Sequence, residues 1–125
     1  MEYSNDFRYD LKLGQIKEKE LGDILNDKSI EVKTDLKAAE TGSVFVEYES
    51  RGKPSGIVTT EAKWWAFVLV NKNLEITMIM LFKTENLKSV CREYLNTKRD
   101  VNGGDNDTSR MILLPLKDML ALLEA

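Results

Sequence analysis

Hydrophobic positions recur with helical spacing near the start of the chain and alternate with polar positions in much of the remaining sequence. Residues 9–25 place leucines and isoleucines on one side of a helix, with lysines and glutamates between them. Residues 29–35 and 43–49 alternate β-branched or aromatic residues with charged ones, which is typical of strands. Because the linker 36–42 is too short for a covering crossover, we expect these two strands to form a hairpin.

The second half of the chain adds further strands and helices. Two apolar runs, residues 65–70 and 74–82, are typical of buried strands joined by a polar turn. The remaining predicted elements are a short helix from Thr59 or Thr60 through Trp64, an amphipathic helix from Thr84 through Leu95, a flexible loop over 98–109, a strand over 111–116 and a helix over 117–124. This order predicts a single domain over residues 1–125, of the α+β or mixed-sheet α/β class, with helices flanking one central sheet.

Composition narrows the chemistry that the chain can perform. The 125 residues include no histidine and one cysteine, Cys91, which excludes histidine-dependent triads, histidine-ligated metals and a zinc site. Hydrolytic chemistry would therefore need carboxylates, lysine and a hard cation. No stretch approaches the roughly 18 apolar residues of a membrane-spanning helix, so we expect no membrane contact and a cytoplasmic location. The net charge of −3 argues against binding by bulk phosphate attraction, although clustered basic residues can still form a local DNA track.

Carboxylates and a lysine share one face of the first predicted strand. Side chains alternate across a strand, so Glu31, Lys33 and Asp35 point the same way. In the expected hairpin, Glu47 or Glu49 of the second strand lies beside them. Clustered carboxylates repel one another unless a cation sits between them, and Mg²⁺ prefers oxygen ligands. Charged residues also alternate with apolar ones in ordinary strands that have one face in solvent. These residues could therefore have a purely structural role.

A further acid lies on the first predicted helix. Glu20 falls between Ile16 and Ile24 at spacings of four residues, on the side that we expect to face the sheet. A glutamate on the buried side of a helix needs a partner, which a metal site would supply.

The segment Ile30-Glu31-Val32-Lys33-Thr34-Asp35 resembles the (D/E)XK strand of the PD-(D/E)XK nuclease superfamily. The longer stretch T-G-S-V-F-V-E-Y-E-S-R-G-K-P-S-G-I-V-T-T-E-A-K-W-W resembles small phage proteins of that superfamily. The resemblance implies a restriction-endonuclease-like mixed central sheet flanked by helices. It also implies hydrolysis of DNA phosphodiester bonds with Mg²⁺, for which Mn²⁺ substitutes, in a phage host's cytoplasm. Resolution of Holliday junctions is one specific form of that activity.

The same resemblance assigns roles to individual residues. Glu31 and Lys33 form the ExK pair, and Glu20 is the helix acid that many members add. The first acid is either Asp23 or Asp35, and in the latter case Glu47-Tyr48-Glu49 acts as an ExE variant. The preferred catalytic set is Glu20, Glu31, Lys33, Asp35 and Glu47, of which Glu31, Asp35 and Glu47 bind the metal.

DNA contacts are expected from loops. Lys37, Arg51 and Lys53 lie in or beside loops from which they could reach phosphates, while Ser55 and Thr60 offer hydroxyl groups near a helix start. A homodimer would allow both strands of a duplex to be cut. The alternatives are a non-catalytic nucleic-acid or protein-binding module that retains the nuclease fold, and an interaction protein whose acidic strand face docks onto a basic partner.

Overall fold

The computed structural model describes residues 7–26 and 29–124, which divide into two compact units. The first unit ends at Ile30 and contains the long helix α1 (Phe7–Asn26). The second begins at Glu31 and contains most of the strands. Among the residues described, no helix is both long enough and apolar enough to cross a bilayer.

The secondary structure is mixed. The strands are β1 (Ile30–Asp35), β2 (Ser43–Ser50), β3 (Lys53–Pro54), β4 (Trp64–Val70), β5 (Ile76–Lys83), β6 (Asp100–Gly103) and β7 (Ser109–Pro115). Besides α1, the helices are α2 (Ala38–Thr41), α3 (Thr84–Glu93) and two 3₁₀ helices, Asp105–Asp107 and Leu116–Glu124. This composition confirms the predicted α+β class.

The strands divide between two sheets rather than forming one. A mixed three-stranded sheet has the order β1-β4-β5. An antiparallel four-stranded sheet has the order β3-β2-β7-β6. Consequently β1 and β5 are the edges of the first sheet, and β3 and β6 are the edges of the second.

The predicted hairpin between β1 and β2 is wrong, because the two strands belong to different sheets. Their linker is not a simple turn. Asp35 Oδ1 accepts hydrogen bonds of 2.8 Å from the backbone N–H groups of Lys37 and Ala38, which starts the helical turn α2. Gly42 closes that turn in the left-handed region, with φ of 71°. The linker therefore redirects the chain from one sheet to the other.

Two other local predictions are also wrong. The segment predicted as a loop over residues 98–109 contains β6, which pairs with β7 from Asp100↔Ile112 to Gly103↔Ser109. The short helix predicted to end at Trp64 is absent from this described segment, where turns lead directly into β4. The Thr60 hydroxyl instead accepts a hydrogen bond from the Ala62 N–H, because threonine competes with helical bonding by forming local turns.

The hydrophobic core of the second unit draws on both sheets and α3. Alternate residues of each strand point inward, as the period of two requires. The least exposed large side chains are Trp65 and Phe67 of β4, Val44 and Val46 of β2, Ile112 and Leu114 of β7, and Leu87 of α3. Phe67 also meets Phe82 of β5 edge to face, with ring centroids 6.0 Å apart.

Candidate functional site

Glu31 and Lys33 lie side by side on edge strand β1. The Lys33 Nζ is 3.2 Å from Glu31 Oε1, and both side chains remain about half exposed to solvent. The same ammonium lies 5.7 Å from the ring centroid of Trp65, within range of a cation–π contact. The acid and the amine are therefore adjacent, accessible and supported by a buried aromatic ring.

Asp35, at the other end of β1, accepts hydrogen bonds from the backbone of the following turn. Its side chain is buried, and the two N–H groups of the α2 turn bind its Oδ1. Four residues of extended strand span about 13 Å, so Asp35 starts too far along β1 to share an ion with Glu31. This spacing was already readable in the sequence.

Glu47 lies on β2, in the sheet to which β1 does not belong. Its Oε2 accepts a 3.0 Å hydrogen bond from the Ser55 hydroxyl. The described residues contain no group of three or more acidic, cysteine or histidine side chains that could hold a metal ion. The predicted cluster of Glu31, Asp35 and Glu47 is therefore not assembled, because the hairpin that would have brought Glu47 to β1 does not exist.

Glu20 and Asp23 lie on the surface of α1. The Glu20 carboxylate is 3.0 Å from Lys17, and the Asp23 carboxylate is 3.0 Å from Lys19. All four side chains are more than half exposed. One-turn ion pairs with lysines of the same helix account for the charges of both acids. Because Glu20 belongs to the first unit, the expectation that it faces the sheet stays a prediction.

The predicted DNA-contacting residues fall into two groups. Arg51 and Lys53 are exposed at the tip of the β2–β3 hairpin, where Lys53 lies opposite Ser50. Lys37 is exposed beside α2. Ser55 and Thr60, in contrast, use their hydroxyls within the fold, on Glu47 and on the Ala62 N–H respectively. The hairpin tip is thus the more available cationic surface.

A β-bulge in β2 aims Tyr48 at a polar network that the sequence did not indicate. The pairing with β7 shifts between Glu47 and Glu49, so Tyr48 is the extra residue. Its hydroxyl donates a 2.5 Å hydrogen bond to Asp100 Oδ1 and accepts one of 3.3 Å from Arg110 Nε. Arg110 also forms a 2.7 Å ion pair with Asp100. Tyr48 is 52 residues from Asp100 and 62 from Arg110 in sequence, so no local pattern could have brought it to them.

This network shifts the pKa values of its members. Burial and the bond to Asp100 raise the pKa of the Tyr48 phenol, which keeps it a hydrogen-bond donor at neutral pH. Burial alone would raise the pKa of the Asp100 carboxyl, but the bonds from the Asn96 backbone, Tyr48 and Arg110 outweigh it and lower that pKa. Asp100 is therefore ionised, as its pairing with Arg110 requires.

Next to Tyr48, a cavity of about 290 Å³ opens between the antiparallel sheet and α3. Its wall includes Tyr48, Ile57 and Ile112, and α3 contributes Lys88, Cys91 and Arg92. Most of this lining is apolar, while Lys88 and Arg92 bring two positive charges. The volume is near the lower limit of ordinary small-ligand sites. Burial raises the pKa of the Cys91 thiol to about 12, so this cysteine is a packing group rather than a nucleophile.

The position of Gly56 fixes the loop that borders this cavity. The Ile57 N–H donates a 2.9 Å hydrogen bond to the Glu47 carbonyl, which draws the loop against β2. A Cβ on Gly56 would lie 2.1 Å from that carbonyl oxygen, and its φ is +53°. Only glycine fits this position, which explains the S-G dipeptide after Pro54 in physical terms.

Comparison with known proteins adds no assignment: no protein family, no curated protein and no solved structure gives a significant match to the chain. The resemblance to PD-(D/E)XK nucleases therefore stays a prediction from the sequence, carried by the motif around Glu31 and Lys33 and by the stretch over residues 41–65. The candidate sites of this chain are the Glu31–Lys33 pair on β1 and the cationic cavity beside Tyr48.

Proposed function

We propose that this chain is a Mg²⁺-dependent DNA phosphodiesterase, with Glu31 and Lys33 as its catalytic pair. The observation that supports the proposal is the 3.2 Å approach of a half-exposed carboxylate to a half-exposed ammonium on an edge strand. A phosphate group can reach both side chains from solvent. The ExK spacing places them on one face of β1, as the resemblance to the nuclease superfamily requires.

Glu31 is the residue that would hold the ion. Mg²⁺ commonly binds through one or two carboxylates, with substrate phosphate and water completing the octahedron, so a single accessible carboxylate is adequate when DNA is present. When bound, the ion supplies an activated water and neutralises charge on the phosphate. Because Glu31 belongs to no group of three or more acidic, cysteine or histidine side chains among the described residues, we expect Mg²⁺ to bind weakly to the free protein and more tightly with DNA.

Lys33 would bind the scissile phosphate. Its ammonium can orient the attacking water or stabilise negative charge that develops on the phosphoryl oxygens. The contact with the Trp65 ring limits the positions that the flexible lysine side chain adopts. Trp65 is thus a positioning residue for this amine. Arg51 and Lys53, at the β2–β3 tip, supply phosphate contacts, and two copies of the chain would serve the two strands of a duplex.

The test is cleavage of supercoiled, linear, single-stranded and branched DNA with Mg²⁺ or Mn²⁺, and with chelator. We expect Glu31→Gln and Lys33→Ala to lower the cleavage rate by at least about 100-fold, the usual worth of a positioned acid–base group. Glu93→Gln and Lys72→Ala remove similar exposed charges away from β1 and serve as matched controls. Unchanged cleavage in both β1 variants would refute the assignment of this pair.

A second candidate function is a binding module without turnover. It is favoured by the internal hydrogen bonds of Asp35 and Glu47, which leave Glu31 outside any acidic cluster among the described residues. This function predicts that DNA binds to the wild type and to Glu31→Gln with equal affinity and is never cut. Fluorescence anisotropy with labelled duplex and branched DNA, in Mg²⁺ and in chelator, separates it from the nuclease.

A further inference from the structure

Strand β5 presents an unusual edge to solvent. It is eight residues long and is the outer strand of the β1-β4-β5 sheet. Ile76, Met78 and Ile79 are 61%, 53% and 60% exposed. These apolar residues lie near the start of the strand, and Leu74, just before it, is 71% exposed. The first half of β5 thus combines an open backbone edge with exposed hydrophobic side chains.

Edge strands of this kind are normally protected. Their unpaired N–H and C=O groups can bind another strand, so proteins usually interrupt them with charges, proline or strong bulges. Between Ile76 and Phe82 the sequence I-T-M-I-M-L-F contains no charged residue and no proline. The pairing of β5 with β4 is irregular at Thr77, outside the central Met78–Met80 stretch. The centre of β5 is therefore suited to accept another strand.

The charges at the two ends of β5 indicate which strand it accepts. Glu75 immediately precedes the strand, and Lys83 is its last residue. These two positions are equally distant from Ile79. When two copies of β5 run antiparallel about a two-fold axis at Ile79, each Glu75 approaches the Lys83 of the other copy. A parallel arrangement would instead place like charges together, which is unfavourable.

We propose that β5 pairs antiparallel with β5 of a second copy of this chain, joining two three-stranded sheets into one of six strands. Such an interface is isologous, because the same patch serves both partners. Ile79 meets its counterpart at the axis, and Met78 of each copy lies opposite Met80 of the other. The apolar side chains leave water while the free backbone groups gain partners. This inference does not rest on the proposed nuclease activity.

Charge reversal gives a sharp test of the pairing. The mass of the full chain is measured by light scattering and sedimentation over a range of concentrations, with circular dichroism as the folding check. We expect the wild type to dimerise, and Glu75→Lys or Lys83→Glu alone to raise the dimer Kd by roughly 2- to 30-fold, because each change affects two cross-strand pairs. The double variant Glu75→Lys/Lys83→Glu restores the opposite charges and should recover the wild-type Kd.

Two further variants complete the experiment. Ile79→Lys places two ammonium groups next to each other at the two-fold axis, so this variant should be monomeric. Lys72→Glu is the control, because it changes an exposed charge in the turn before β5 and should leave the dimer Kd unaltered. A wild type that is monomeric at every concentration overturns the proposal. So does a dimer that tolerates Ile79→Lys, or a double variant as weak as the single ones.

Discussion

Asp35 shows how a single residue can suggest one role by its type and perform another through its contacts. Its place in E-V-K-T-D suggested a metal ligand, yet its carboxylate holds the first N–H groups of α2. Aspartate at the end of a strand often makes such a local bond to the backbone. The period of two put Glu31 and Lys33 on one face, and the rise of about 3.3 Å per residue along a strand would also have shown that Asp35 lies too far from Glu31 to share an ion with it.

The role of Asp35 can be tested by comparing two substitutions. Asp35→Ala removes the acceptor for the Lys37 and Ala38 N–H groups and should lower the free energy of unfolding by about 1–2 kcal/mol. Asp35→Asn keeps an acceptor oxygen and should retain most of that stability. Urea unfolding measures both. If the stable Asp35→Asn variant no longer cleaves DNA, the negative charge of the Asp35 carboxylate is needed for catalysis.

Gly56 supports a second prediction for individual residues. Gly56→Ala should lower the free energy of unfolding by about 2 kcal/mol or more, since the new methyl group overlaps the Glu47 carbonyl and the backbone is left-handed. Gly52 provides the matched control. Its φ is +77° and no described atom lies within 4 Å of a Cβ placed there, so Gly52→Ala measures backbone strain alone. Equal losses in the two variants would contradict the role assigned to the close approach.

Among the secondary structure elements, predictions from local pattern succeeded more often than predictions of pairing. The strands over 30–35, 43–50, 64–70, 76–83 and 109–115 and the helix from Thr84 overlap the elements that alternation and helical spacing predicted, with ends that differ by at most two residues. The pairing of strands could not be predicted in the same way, because it depends on contacts between residues that are distant in sequence. The β1–β2 hairpin failed because α2 intervenes, and β6 was missed because D-V-N-G lacks apolar alternation and is held by its pairing with β7.

The β2–β3 hairpin is the element on which DNA binding can be tested. Arg51 and Lys53 are exposed at its tip, and positive φ values at Arg51 and Gly52 shape the turn. If each cation contacts one phosphate, Arg51→Gln/Lys53→Gln should reduce the slope of log affinity against log salt concentration by about 1.8. Anisotropy titrations at several salt concentrations measure the slope. Lys72→Gln, in another exposed turn, should leave it unchanged, and an unaltered slope in the double variant would exclude the hairpin from the DNA contact.

For the whole molecule, the two-sheet architecture decides which of the predicted residues can cooperate. The α+β class followed from the order of the patterns, but the division of strands between sheets separated Glu47 from β1. It also created the cavity beside Tyr48, because β2 and β7 face α3 there. No single-strand pattern contains that information, since it depends on contacts between residues distant in sequence.

Global stability should depend on pH through Asp100. Hydrogen bonds and the ion pair with Arg110 lower its pKa in the folded state despite burial. The stabilisation is thus present above the unfolded pKa of about 3.9 and is lost as the pH falls through the lower folded value. Urea unfolding between about pH 2 and pH 7 should show this decline, and Asp100→Asn should flatten it and lower stability at neutral pH. Asp105→Asn, at an exposed site, is the control.

The buried thiol of Cys91 allows local opening of the folded protein to be measured by chemical labelling. The chain has one thiol, which is buried on α3 and forms part of the cavity wall. Alkylation of that thiol must wait until α3 and the sheet separate, so its rate reports how often they do so. We expect labelling at least roughly 1,000-fold slower than in denaturant, as a few kcal/mol of protection requires. A compound that binds in this cavity should slow the labelling further, because binding to the folded state disfavours the separation of α3 from the sheet.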